Sequence, residues 1–382
     1  MINKDIDQIT EEDIQALKDN SVSESKTIEY KQQLPGNSDL DKQEFLADIS
    51  AFANASGGDL IFGVTEDAGI PISVEGLAVD NIDREKLRIE NIVRDGIQPR
   101  ISGINIKAIS LSKSGIILLI RVPKSWNSPH RVVFKGHDKF YSRNSSGKYP
   151  MDVTELRIDF NLSESLAEKI RNFNIDRISK IIADETPVPL YNNAKISLLL
   201  IPMVSFSFAQ LIDISRMSGG LKPIYCSGFN DRHNLDGLLS YSAMQEGKAH
   251  SYVQLYRNGI IEAAEALLLE PNEDGTKVIP SIAYEMELME SVTEYLTTLK
   301  NLNIDPPILL FLNFLGVKGY KMSERGSFTI DRDCLMLQEI IVESYDFNAH
   351  TLLKPAFDSI WNACGFPQSF NYTSEGKWVK RR

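Results

Sequence analysis

Along the first 160 positions the apolar residues recur with two distinct periods, and the periods predict the elements. In the segment TIEYK, Ile28 and Tyr30 fall on one side of an extended chain and Thr27, Glu29 and Lys31 on the other. A strand is expected there, with Glu29 and Lys31 about 6.6 Å apart along one polar face. Ahead of it, a short helix over residues 10–20 opens at Thr10 and runs into the polar turn SVSESK. After Pro35-Gly36, the positions Phe45, Leu46, Ile49, Phe52 and Ala53 keep helical spacing. That helix is expected to start at Asp39 or Asp41 and to end at Gly57-Gly58. DLIFGV then reads as a buried strand. Ile89, Ile92, Val93 and Ile97 mark a helix stopped by Pro99, and GINIKAISL, GIILLIRV, HRVVFK and DKFYSRN read as four further strands. Asp152 and Glu155 have the spacing of a capping box that opens a helical stretch to about Ile182.

A polar, proline-bearing segment, ADETPVPLYNNA, separates this half from a second one that begins with ISLLLIPM. Two domains are expected, 1–183 and 194–382, the first a mixed-sheet α+β domain and the second α/β. Within the second, Asn258-Gly259 between apolar runs suits a hairpin turn of the primed type. Helices around residues 283–300 and 353–363 and the strand PILLFLNFLGV complete it. Asp331, Asp333 and His350 stand isolated and read as surface or capping residues.

Composition sharpens the picture at three points. The apolar runs are far too short to span a bilayer and the N-terminus lacks a signal-type apolar stretch, so no membrane partner and a cytoplasmic location are expected. The three cysteines, Cys226, Cys334 and Cys364, lie far apart without histidines at ligand spacing, which reads as structural thiols. The net charge of −11 argues against a polyanionic partner until its distribution is seen. Residues 100–148 carry ten Lys and Arg against the single acid Asp138, a local +9, which leaves −20 for the rest. With aromatic residues interleaved, this segment suits a phosphate backbone. Its candidate nucleic-acid-binding residues are Arg100, Lys124, Arg131, Lys135, Lys139, Tyr141, Arg143 and Lys148.

Glu24, Glu29 and Lys31 form an E-x(4)-E-x-K pattern, and Asp67 lies just beyond a strand expected to run beside that of Glu29. Carboxylates of this kind can hold Mg²⁺ or Mn²⁺, which activates water and offsets charge on a scissile phosphate, while a lysine holds a phosphoryl oxygen. The same pattern also fits a solvated strand face, on which Glu29→Gln would leave stability nearly unchanged. Gly57, Gly58 and Gly63 follow a helix rather than opening one, so they read as helix termination and close packing. No G-x(4)-G-K-[ST] motif is present, which argues against ATP hydrolysis.

Taken in order, ESKTIEYK (24–31), AFANASGGDLIFGV (51–64), the turn Glu66-Asp67-x-Gly69, IQPRI (97–101), SPHRV and FYSRNSS (140–146) resemble the signature of the Schlafen AlbA-like family over about residues 24–160. The resemblance implies an AlbA-like nucleic-acid-handling domain. In nuclease-active members three acidic residues and a divalent metal cleave transfer and ribosomal RNA, and the matching positions here are Glu24, Glu29 and Asp67, with Lys31 beside them. Glu66 and Asp59 lie close enough to replace Asp67. The implied function is a metal-dependent endoribonuclease acting on tRNA-like RNA, in bacterial stress or anti-phage defence, with the second domain sensing or gating. The alternatives are a non-catalytic RNA- or DNA-binding module and a protein-interaction subunit. Because the signature elements occur together once, where vertebrate relatives carry two lobes, a homodimer is expected.

Overall fold

The computed structural model describes residues 1–113, 115–206, 212–217 and 219–380, so the final Arg381-Arg382 of the basic tail lies outside the described residues. The chain divides into two compact units, Met1–Ser165 and Leu166–Arg382. Among the described residues, no helix is long and apolar enough to cross a membrane.

The first unit runs α1 (Glu11–Asp19), β1 (Ile28–Lys31), α2 (Asp39–Asn54), β2 (Gly58–Phe62), β3 (Val64–Asp67), β4 (Ile70–Val74), α3 (Ile82–Gly96), β5 (Ile97–Gln98), β6 (Asn105–Ser110), β7 (Ile116–Val122), β8 (Arg131–Phe134), β9 (His137–Asn144), β10 (Gly147–Pro150) and the start of α4 (Val153–Ile182). One sheet has the order β1-β2-β7-β6, with β1 parallel to β2 and the remaining pairs antiparallel. The other is antiparallel in the order β10-β9-β8-β5. The unit is α+β with a mixed sheet.

Alternation on β1 and β2 splits the apolar residues between two cores. Leu60, Phe62, Leu118 and Ile120 pack with Phe45, Ile49 and Phe52 of α2 and Ile89 and Val93 of α3. Ile28, Tyr30, Ile61, Ile117 and Leu119 pack on the opposite side with Ile9 and Ile14. Glu29 pairs in register with Leu60, so Glu29 and Lys31 are left on the side of α2. The cap of α2 is Ser38, whose hydroxyl accepts from the Asp41 N–H, rather than Asp39 or Asp41. At the other end, a Cβ on Gly58 would sit 2.2 Å from the Phe52 ring, so only glycine lets β2 pass this close to the helix. The capping box at α4 forms as expected: Asp152 Oδ1 accepts from the N–H of Thr154 and Glu155, and the Asp152 N–H donates to Glu155.

Two turns exchange the expected chemistry. Lys135 and Gly136, both in the left-handed region (φ 50° and 77°), form the two-residue primed turn of the β8–β9 hairpin. At Asn258-Gly259 only the glycine has positive φ (89°), and the Gly259 N–H donates to the Tyr256 carbonyl. The primed turn expected there is instead an ordinary turn followed by a glycine bulge, because the loop takes in Arg257 as well.

In the second unit the C-terminal part of α4 is followed by β11 (Lys195–Pro202), β12 (Phe229–His233), β13 (Gly237–Ser242), β14 (Ser251–Tyr256), β15 (Ile261–Glu265), β16 (Val278–Ile279), α5 (Ala283–Asn301), β17 (Ile308–Leu315), β18 (Lys321–Met322), β19 (Cys334–Met336), β20 (Ile340–Val342) and α6 (Ala349–Ala363). An eight-stranded sheet has the order β12-β13-β14-β15-β11-β17-β19, with β20 also on β17, and every pair in it is antiparallel. The α/β pattern read for this half is therefore α+β: the sheet is antiparallel, with β12 to β15 each pairing with the next, and α5 leads from β15 to β17 without making a parallel pair. Ile196, Leu198, Leu200, Leu310, Leu312 and Phe314 pack with Leu288 and Val292 of α5 and Phe357 and Trp361 of α6. The unit boundary falls within α4, ahead of the proline-bearing segment. The reason is chemical: Arg177 makes two hydrogen bonds to buried Glu262 (2.5 and 3.0 Å), and Ile178 and Ile181 pack on Leu315. Cys226 and Cys364 are buried, Cys334 is half-buried, and all three are free thiols.

Candidate nucleic-acid interface

β1 delivers Glu29 into a buried position, 7% exposed, against the underside of β9. Arg143 Nη1 lies 2.5 Å from Glu29 Oε2, and Lys31 Nζ lies 2.5 Å from Oε1. Arg143 also donates to the Ser25 carbonyl (3.3 Å), and its guanidinium rests 4.1 Å above the Phe52 ring. Burial pushes the Glu29 carboxyl up, but Lys31 and then Arg143 outweigh it and hold the group below the ordinary carboxylate range. Burial likewise pulls Lys31 down, and the charges of Asp48 and Glu29 prevail and keep it an ammonium. The strand-face geometry of Glu29 and Lys31 thus stands, while the expectation that Glu29 is solvated does not. Arg143 and the Phe52 ring fill the space where water would have been.

Asp48 of α2 extends the cluster. It is 2% exposed, 2.6 Å from Lys148 of β10, and its carboxyl is pushed up to about 6 by burial and by Glu29, against the pull of Lys148 and Lys31. Lys148 also pairs with Glu44 one helical turn earlier. Neither Asp48 nor Glu44 was among the candidate residues. The signal was present, since Asp48 lies at i+3 from Phe45 and i−4 from Phe52 and so must share their buried face. Asn54, at the end of the same helix, donates from its amide to the carbonyls of His130 (2.9 Å) and Tyr141 (2.8 Å) and accepts from the His130 N–H, which fixes α2 to β8 and β9.

Glu24 lies beside this cluster, with Oε1 accepting from the Tyr30 N–H (2.9 Å). Burial raises its carboxyl, the Tyr30 N–H opposes that, and the charges of Glu29 and Glu66 add to it. Asp67 is exposed at the end of β3, opposite Ile70. Glu66 instead turns its carboxylate back on the Gly69 N–H (2.5 Å). Asp59, the other substitute, is fully buried and committed to Arg121 (2.8 and 3.0 Å) and to the Ile2 N–H (2.6 Å), where it fastens the N-terminal segment to the sheet. The structure brings Glu24, Glu29 and Lys31 together, and the Glu24 N–H donates to the Gly69 carbonyl (2.7 Å), so the β3–β4 turn lies beside Glu24 with Asp67 exposed on it. Among the described residues, no three His, Cys, Asp or Glu side chains are grouped closely enough to hold a metal ion. With both Glu29 oxygens occupied by cations, the residues as placed do not fit Mg²⁺ or Mn²⁺.

The basic segment is divided by use. Lys107 caps the carbonyls of Asp7 and Ile9, Arg121 holds Asp59, Lys124 donates to the Ala55 carbonyl (2.7 Å), Arg143 holds Glu29, and Lys148 holds Asp48 and Glu44. Five of the ten cations therefore serve the frame. The other five face outward: Arg100, Lys113, Lys135 and Lys139, all exposed, and half-buried Arg131, which pairs with Asp138 (3.0 Å). Tyr141 is half-buried, with its hydroxyl 2.7 Å from His137 Nε2.

No curated protein matches the chain. Among solved structures, the DIP2311 protein of Corynebacterium diphtheriae is 14% identical with a TM-score of 0.26, over 36% of this chain and 29% of that one, so the chain spans less than a third of its length. The N-terminal domain of a RecG-related protein of Nitrosomonas europaea is 22% identical with a TM-score of 0.25, over 32% of this chain and 79% of that one. Neither likeness is close enough to carry an argument. The family model described as Schlafen, AlbA_2 matches residues 24–152, the stretch that holds the Glu24–Glu29–Lys31 segment, α2 and the β8–β9 hairpin. By that match the first unit belongs to the Schlafen AlbA_2 family, and its function is nucleic-acid-related.

Proposed function

We propose that the first unit binds RNA or DNA strands, with phosphates meeting Lys135, Lys139 and Arg131 along the β8–β9 hairpin and Lys31 and Lys148 at the edge of the buried cluster. The observation that carries this reading is the division of the basic segment. Cations inside the frame are held by carboxylates and carbonyls away from solvent, whereas Lys139 and Lys135, the latter only 3.9 Å from exposed Asp39, stand exposed on one hairpin. Exposed cations that meet phosphates release counterions, so affinity should fall with salt. Fluorescence anisotropy with labelled RNA and DNA oligonucleotides between about 50 and 200 mM salt tests this; affinity indifferent to salt would overturn it.

A second reading, metal-dependent endoribonuclease action on tRNA-like RNA, is favoured by the closeness of Glu24, Glu29 and Lys31 within the Schlafen match. It requires Arg143 and Lys31 to yield Glu29 and Asp67 to turn inward. Full-length protein incubated with tRNA, with and without Mn²⁺, decides it. Mn²⁺-dependent cutting that disappears in Glu29→Gln supports the nuclease, and intact tRNA throughout leaves the binding module. A role in stress or anti-phage defence belongs to this second reading. The homodimer is a proposal of the same standing, and a monomeric mass in light scattering at micromolar concentration would remove it.

A further inference from the structure

Between α2 and β9 lies an open pocket of about 350 Å³, bounded by Leu40, Asp41, Gln43 and Glu44 on the helix side and by His137 and Tyr141 on the strand side. That volume is at the small end of the range for ligand pockets, roughly 300–1,000 Å³. The two rings are nearly parallel, 3° apart, with centroids separated by 5.8 Å. His137 Nε2 and Tyr141 Oη are 2.7 Å apart. Both atoms lie in the planes of their rings, so the planes are at most about that far apart. This is too close for one ring to cover the other, since carbon contacts need about 3.5–4.0 Å. The rings therefore lie side by side in parallel planes no more than about 2.7 Å apart, joined by a hydrogen bond, and present two adjacent aromatic faces.

We infer that this pocket receives one nucleobase of the bound strand, and that the base is guanine. This rests on the proposed nucleic-acid binding and names what that site reads. A flat aromatic surface takes the face of a base, as single-strand binders do. The edge of the pocket presents Glu44, a carboxylate that can only accept, next to the Gln43 amide. Of the four bases, guanine alone offers two adjacent donors, N1–H and N2–H₂, which a single carboxylate can accept together. Lys148 is paired with Glu44, and exposed Lys139 lies on β9 between His137 and Tyr141, so cations stand near the pocket for the flanking phosphates. Leu40, 77% exposed at the rim, supplies apolar cover.

The test uses the full chain and fluorescein-labelled eight-nucleotide RNAs, one all uridine and one with a single central guanosine, read by anisotropy. The guanosine strand should bind about tenfold more tightly. Tyr141→Ala should weaken that strand about tenfold and the all-uridine strand less than threefold, consistent with the loss of one base–aromatic stack. Glu44→Gln, a surface change with little bearing on folding, should abolish the preference while both strands still bind. Tyr141→Phe keeps the ring face and should keep the preference. Free guanosine monophosphate should displace the guanosine strand at lower concentration than uridine monophosphate does, which reads the pocket without a backbone. Equal binding of the two strands, or a preference that survives both Glu44→Gln and Tyr141→Ala, overturns the base pocket and leaves the binding module standing. Failure of both strands to bind overturns the binding module, and the pocket with it.

Discussion

Glu29 of the first unit and Glu285 of the second are both buried, and the two are handled in opposite ways. Glu285 of α5 is fully buried and, among the described residues, meets no cation: its oxygens accept from Tyr284, Trp361 (2.8 Å), Ser369 (2.7 Å), Asn371 (3.0 Å) and Trp378 (2.7 Å). Glu29 meets two cations, and one of them, Lys31, has 38% of its side chain exposed. Neutral donors from α6 and the segment after it close around Glu285 on all sides, so its work is to fasten the C-terminal segment to α5. The pairing at Glu29 keeps an opening, because a charge shared with a partly solvated lysine can be redistributed when an anion arrives.

The largest effect expected from this contrast is at Glu285. Glu285→Ala leaves five donors, four of them buried, without their acceptor and should destabilise the second unit by upwards of about 3 kcal/mol, a fall in Tm of at least about 6 °C, with RNA affinity unchanged. A Tm within 2 °C of wild type would erase the distinction. Next is Glu29→Gln, which leaves Arg143 buried without its counter-charge. A loss of about 2–4 kcal/mol in chemical denaturation is expected, in place of the neutral outcome anticipated for a solvated strand face. An unchanged midpoint would restore the solvated picture.

Third, the cluster should have a pH optimum. Asp48, raised from 3.8 to about 6, favours the fold when protonated, so its contribution is present at low pH and is lost as pH rises through about 6. Glu29, lowered from 4.5, contributes above that value and loses its contribution as pH falls below it. The Tm of the wild type relative to Asp48→Asn should therefore decline between pH 5 and 7, and a flat difference would deny the shift. The smallest effect is at the exposed cations. Lys135→Glu with Lys139→Glu should weaken RNA binding and flatten the salt slope by about one for each lysine, while leaving Tm within about 1 °C. A steeper loss in Lys107→Met than in this pair would mean that the framework cations were assigned the wrong role.

The sequence carries the backbone of this account better than its charges. Period-two alternation placed Ile28 and Tyr30 in one core and Glu29 and Lys31 on the other face, and helical spacing located α2 and α3, because burial is decided locally by which residues recur on a face. The capping box at Asp152 was legible for the same reason. The fate of a charge depends on residues more than a hundred positions away. Arg143 meets Glu29 across 114 residues and Lys148 meets Asp48 across 100, so a run of ten cations read as a surface when half of it is internal. Asn258-Gly259 misled in a related way: the dipeptide fixes where the chain reverses, and loop length fixes how.

The primed turn at Lys135-Gly136 bears on how this chain meets a protease. Trypsin needs several residues drawn out straight before it can cleave after lysine, and a two-residue reversal with both φ angles positive denies it that conformation despite the exposed side chain. Cleavage at this bond would require the hairpin to open first, so its rate would report the opening equilibrium of β8 and β9 rather than the accessibility of Lys135. A strand lying across the hairpin should slow the cut, giving a footprint that needs no label on either molecule.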